Sequence, residues 1–156
     1  MFSARMAVLS MVITLAATGC RRPRLSPEEQ VRKATDAVVT AVRDRELKSV
    51  AASVSEQYAD SEGGDKKQIV SQVRVQFLLH PNLYLIAKTT SIECPEPGQA
   101  SVVVYAAMAS VPAGALPDLR SLSADVYRFE LTLADEEGSW RVRRAAWNPA
   151  TVKDLL

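Results

Sequence analysis

The stretch Val126-Tyr127-Arg128-Phe129-Glu130-Leu131-Thr132-Leu133 decides the fold. Tyr127, Phe129, Leu131 and Leu133 fall on one face, and Arg128, Glu130 and Thr132 on the other. That alternation is the period-two signature of a half-buried strand. Reading forward, Asp135-Glu136-Glu137-Gly138-Ser139 is a hairpin loop. Trp140 to Trp147 is the returning strand, ended by Asn148-Pro149. Reading backward, Val111 to Leu122 holds Pro112, Gly114 and Pro117 and reads as a loop. Ala100 to Ala109 and Leu83 to Ile92 read as two further strands, joined by a turn at Cys94-Pro95-Glu96-Pro97-Gly98.

Upstream of Pro81 the period changes from two to that of a helix. Ser26-Pro27-Glu28-Glu29 starts a helix: Ser26 can cap, Pro27 suits the first helical position, and Glu29 completes a capping box. The stripe Val31, Ala34, Val38, Ala41 and Val42 predicts that it runs to about Asp44. Asp44-Arg45-Glu46-Leu47 reads as a turn into a short second helix, with Leu47, Val50 and Val54 facing inward. Gln57 to Asp60 reads as a short extended piece, and Ser61-Glu62-Gly63-Gly64 breaks the chain. Asp65 can cap a third helix carrying Ile69, Val73, Phe77 and His80, stopped by Pro81.

Helices first and a meander of strands afterwards argue an α+β domain, with the helices packed on one face of an antiparallel sheet. Three features give the chain a likeness to a known superfamily. They are the N-terminal amphipathic helix, the turn Asp44-Arg45-Glu46-Leu47 before a short helix, and the ending Gly138-Ser139-Trp140-Arg141-Val142. Together they resemble the nuclear transport factor two-like superfamily, with its cystatin-like, ketosteroid isomerase and SnoaL-like members, over Ser26 to Trp147. The resemblance implies a curved sheet that curls around the helices as a cone, often with a pocket at its mouth. It leaves assembly roles open too, since the periplasmic core subunit of type IV secretion systems has this fold.

The N-terminus locates the protein. Met6 to Thr18 is a 13-residue apolar run behind a single charge on Arg5. That is shorter than the roughly 20 residues needed to span a bilayer, and of signal-peptide length. Ala17-Thr18-Gly19-Cys20 resembles the bacterial lipobox, with Leu15 two residues ahead of the usual leucine position. The resemblance implies cleavage before Cys20, acylation of its thiol, and anchoring to a membrane. Two or more acyl chains suffice for stable anchoring. Arg21 stands where an aspartate would imply inner-membrane retention, so the expected location is the periplasmic leaflet of the outer membrane. The expected organisation is a signal peptide over 1–19, a lipidated tether over 20–25, the domain over 26–150 and a tail over 151–156.

Removing residues 1–19 from the 156 leaves 137, enough for one domain with its own core. The leader holds one base and no acid, so 18 basic residues remain against 18 acidic. A neutral chain offers no counterion release, and nucleic acid is not an expected partner. With Cys20 acylated, Cys94 has no disulfide partner within the chain.

No catalytic constellation stands out. Isomerase chemistry needs a base and an acid facing each other in an apolar pocket. His80 is the single histidine, placed where a helix ends, and Asp36, Asp60, Glu93 and Asp125 have no spacing that pairs them. Neither a metal nor a cofactor is expected from such scattered ligands. Tyr84, Tyr105 and Tyr127 could line an apolar pocket with hydroxyl handles, although neighbouring aromatics on strands also pack simply as sheet core. The reading that follows is a non-catalytic envelope lipoprotein, binding a small apolar ligand or docking onto an envelope assembly. An isomerase- or hydratase-like enzyme with an acid–base pocket in the cone is the alternative.

Overall fold

The computed structural model describes residues 25–110 and 125–155. The expected leader over 1–19, Cys20 and the expected tether up to Arg24 lie outside them, as does the expected loop Val111 to Leu122. Helix α1 is Pro27–Arg43, capped by Ser26, whose hydroxyl accepts from the Glu29 amide while the Glu29 carboxylate accepts from the Ser26 amide. It buries Val31, Thr35 and Ala41. Thr35 tolerates burial because its hydroxyl donates to the Val31 carbonyl at 2.9 Å.

Helix α1 ends in a Schellman motif. Arg45 is left-handed at φ 60°, its amide donates to the Val42 carbonyl, and the Glu46 amide donates to the Ala41 carbonyl. Helix α2, Leu47–Ser53, follows and runs directly into strand β1, Val54–Asp60. Val54 therefore belongs to the sheet and not to the helical stripe. Asp60 then closes a turn: its Oδ1 accepts from the Glu62 and Gly64 amides at 2.9 and 2.7 Å. The carboxylate sits so close that a Cβ at Gly64 would lie 2.4 Å from Asp60 Oδ2. Helix α3, Lys66–Leu79, has its own capping box from Asp65 and Gln68. His80 is its C-cap rather than part of its buried stripe.

Four long strands complete the chain: β2 (Leu83–Glu96), β3 (Gln99–Ser110), β4 (Asp125–Glu136) and β5 (Ser139–Pro149). They form the expected antiparallel meander. The sheet is curved and unclosed, in the order β1-β5-β4-β3-β2, and β1 joins it parallel to β5, so the sheet is mixed. The loop read over Asp135–Ser139 tightens to Glu137-Gly138, both at positive φ, as a two-residue hairpin turn requires. Register shifts at Thr89/Ser91 on β2 and Thr132/Leu133 on the β4–β5 pair bend the strands. The tail holds a short helix α4, Val152–Leu155, preceded by Thr151, whose hydroxyl donates to Asp154.

The concave face carries the main core. Ala100, Val102 and Val104 of β3 stand opposite Leu133, Leu131 and Phe129 of β4, which in turn stand opposite Val142, Ala145 and Trp147 of β5. Val31 of α1 and Tyr58 of β1 close this core. A second cluster, Ala41, Val50 and Phe77, ties the ends of α1 and α3 to α2.

Candidate functional site

The concavity is filled most tightly at the hairpin end. Leu133 and Val102 are each 1% exposed, whereas Leu131, Phe129 and Tyr127, further along β4, are only half-buried. Tyr127 and Phe129 pack with ring centroids 6.2 Å apart. The three tyrosines expected to share a pocket do not converge. Tyr127 pairs with Ala106 on the concave face. Tyr105 pairs with Arg128 and Lys88, and Tyr84 with Ala109, on the convex face. Adjacent strand residues point to opposite sides, so Tyr105 and Tyr127 are divided by the sheet itself.

The carboxylates do not build an acid–base pair either. Asp36, Glu93 and Asp125 are exposed, and Asp60 is engaged with backbone amides. Tyr58 is the buried titratable group of the core. Its hydroxyl has no hydrogen-bond partner among the described residues, and burial, then the neighbouring Asp60 charge, push its pKa up to about 12. Cys94 is half-buried and a free thiol, its pKa raised by desolvation and then by Glu28. Among the described residues no group of ligands could hold a metal ion, and no helix is long and apolar enough to cross a membrane.

A polar cleft of about 410 Å³ lies where β1 meets the β2–β3 and β4–β5 turns, lined among others by Ser55, Gln99, Asp135, Glu136 and Arg143. Ser55 donates to Glu136 Oε1 at 2.6 Å and accepts from the Gln57 amide at 3.0 Å. Ser55 lines this cleft at 0% exposure, with its hydroxyl taken up by these two bonds. It bridges β1 to the end of β4. No sequence signal could pair residues 81 positions apart.

The largest departure from a solvated surface is apolar. Val75, Leu78 and Leu79 of α3 are 46%, 74% and 65% exposed, and Tyr84, near the start of β2, is 40% exposed. Spacings of three and four put Val75, Leu78 and Leu79 on one helical face, opposite Ile69, Val73 and Phe77. The sequence contained this signal: Val73 to Leu79 holds more apolar residues than one buried stripe can use.

No known family profile matches the sequence, and no characterised protein matches it either. Solved structures do. A ketosteroid isomerase-like protein from Erwinia carotovora atroseptica superposes with a TM-score of 0.61 at 13% identity, covering 80% of this chain and 96% of that one. The fold is nuclear transport factor two-like. An NTF2-like protein of unknown function in nutrient uptake from Rhodospirillum rubrum gives a TM-score of 0.59 at 16% identity, over 78% of this chain and 98% of that one. A protein of unknown function with a cystatin-like fold from Nostoc punctiforme gives 0.62 at 8% identity, over 85% and 99%. At such identities the likeness carries the fold and not an activity.

Proposed function

We propose that this chain is an envelope lipoprotein, held by an acylated Cys20 on the periplasmic side of the outer membrane, whose domain works non-catalytically as a docking module. The observation that carries this reading is where the apolar surface lies. The hairpin end of the concavity is taken up by Leu133, Val102, Val31 and their neighbours. Apolar side chains stand instead on the outside, at Val75, Leu78 and Leu79. The lipobox-like Ala17-Thr18-Gly19-Cys20 supports the anchor.

The likeness to a ketosteroid isomerase-like protein supports a second reading, an isomerase- or hydratase-like enzyme. It needs an acid–base pair enclosed in an apolar pocket, and Asp36, Glu93 and Asp125 are all exposed. Metabolic labelling with palmitate tests the anchor. Wild-type protein takes up label, and Cys20→Ser leaves an unlipidated precursor that takes up none. Equal labelling of the two overturns the lipoprotein reading.

A further inference from the structure

Helix α3 joins its exposed apolar face to basic charge. Between Lys66 and Leu79 it carries Lys66, Lys67 and Arg74 and no carboxylate. Lys66 is paired with Glu56 at 2.7 Å, while Lys67 and Arg74 are exposed. Lys67, Arg74 and Leu78 follow one another at helical spacing, so cation and leucine share one side of the helix. Leu78 and Leu79 stand at the last turn, where the chain leaves for β2. Apolar side chains at a tip with cations behind them match the layering of an anionic bilayer surface. The leucines reach the acyl boundary and the cations stay among the headgroups.

The anchor geometry allows the same membrane to be reached. The C-terminal ends of α1 and α3 meet, because the Arg45 guanidinium donates to the carbonyls of Phe77 and Pro81. The tether enters at the opposite end of α1, whose 17 residues span about 25 Å. From Cys20 to Ser26 the tether reaches roughly 20 Å at full stretch. A domain resting on its side, with α1 along the membrane, brings anchor and tip to one surface.

Resting on the docking reading above, we infer that Val75, Leu78 and Leu79, flanked by Lys67 and Arg74, form a membrane-contact tip that enters the headgroup–acyl boundary of an anionic bilayer. The occupant of this surface is lipid, and the domain is held at two points, the acylated cysteine and the end of α3.

The test uses the full lipid-anchored chain in vesicles of phosphatidylethanolamine and phosphatidylglycerol. An environment-sensitive fluorophore is placed on Leu79→Cys in a Cys94→Ala background, and on Ser101→Cys of the outer sheet face as a control. The expected result is a blue-shifted emission at position 79 that brominated lipids quench, with water-like emission at 101. Water-like emission at 79 on these vesicles overturns the inference while leaving the anchor intact. A blue shift at 79 that lipid bromination does not quench, with cross-linking between two chains, also overturns it and assigns the surface to a second copy.

A second arm uses the mature chain from residue 20, without the leader and with Cys20→Ser, and added vesicles. Leu78→Asp/Leu79→Asp should lower vesicle partitioning at least about tenfold, since one inserted leucine is worth that much. These side chains are mostly exposed, so the variant keeps the fold. Unchanged partitioning overturns the tip. Failure of palmitate labelling at Cys20 would instead remove the anchor, and this second arm would still read the tip alone.

Discussion

Arg45 serves two ends that conflict. Its backbone takes the left-handed conformation at φ 60°, where glycine would be unstrained and any other residue costs about 1–2 kcal/mol. Its guanidinium lies 5.8 Å over the Phe77 ring and donates to the carbonyls of Phe77 and Pro81, which closes the C-terminus of α3. Charged hydrogen bonds contribute about 1.5–3 kcal/mol each, so the side chain outweighs the strain. Urea unfolding should therefore rank wild type above Arg45→Gly, and Arg45→Gly above Arg45→Ala, which keeps the strain and loses the bonds. An Arg45→Gly variant as stable as wild type would show that the guanidinium contributes nothing. The turn itself was legible in Asp44-Arg45-Glu46-Leu47, but the guanidinium's role was not, because its partners lie 32 and 36 residues away. Tyr58 makes a pH prediction. An unfolded tyrosine loses its proton near pH 10, and the folded Tyr58 keeps it to about pH 12. Across that window the folded state binds more protons, so stability falls as pH rises, by on the order of 2 kcal/mol from this group. Tyr58→Phe should lack that part of the alkaline loss. At pH 7 it should be at least as stable as wild type, since it removes a buried hydroxyl without a partner among the described residues.

Strand β4 shows how far a pattern reads and where it stops. Its alternation placed Tyr127, Phe129, Leu131 and Leu133 on the core face, and the structure puts them there. The pattern carries no information about depth, which grows toward the β4–β5 turn as the curved sheet closes over α1. Leu133→Ala should cost about 2–5 kcal/mol in urea unfolding. Phe129→Ala should cost less than the roughly 3–5 kcal/mol typical of a fully buried phenylalanine, because this ring is only half-buried. Equal losses at the two positions would mean that the core is as tight at the mouth as at the turn. The helix starts were legible for a local reason: both capping boxes close within three residues. The tyrosine pocket failed for an equally local one. Register decides the face, and register depends on turns and bulges such as Thr89/Ser91, which composition does not reveal. Val75, Leu78 and Leu79 were readable as apolar and at helical spacing, but only the packing of Ile69, Val73 and Phe77 shows which side faces outward.

At the scale of the molecule, the meander from β2 to β5 is assembled from neighbours in sequence, and the N-terminal third is not. The first strand pairs parallel with the last, Val54 beside Val142. Parallel neighbours need a long crossover, and here everything from α3 to β4 lies between them. A chain ended at Gly138 loses β5, strips β1 of its sheet partner and uncovers Tyr58. It should be degraded in limited proteolysis under conditions where the full chain resists, and persistence of an α1–β1 fragment would contradict this. The parallel pairing also sets an order in time. A chain delivered from its N-terminus, whether from a ribosome or through a membrane pore, can form α1 and α3 early but has nothing for β1 to pair with until residues beyond 139 arrive. Closing so distant a contact is slow. The first strand therefore waits, its edge unpaired, for the last stretch of chain to be delivered.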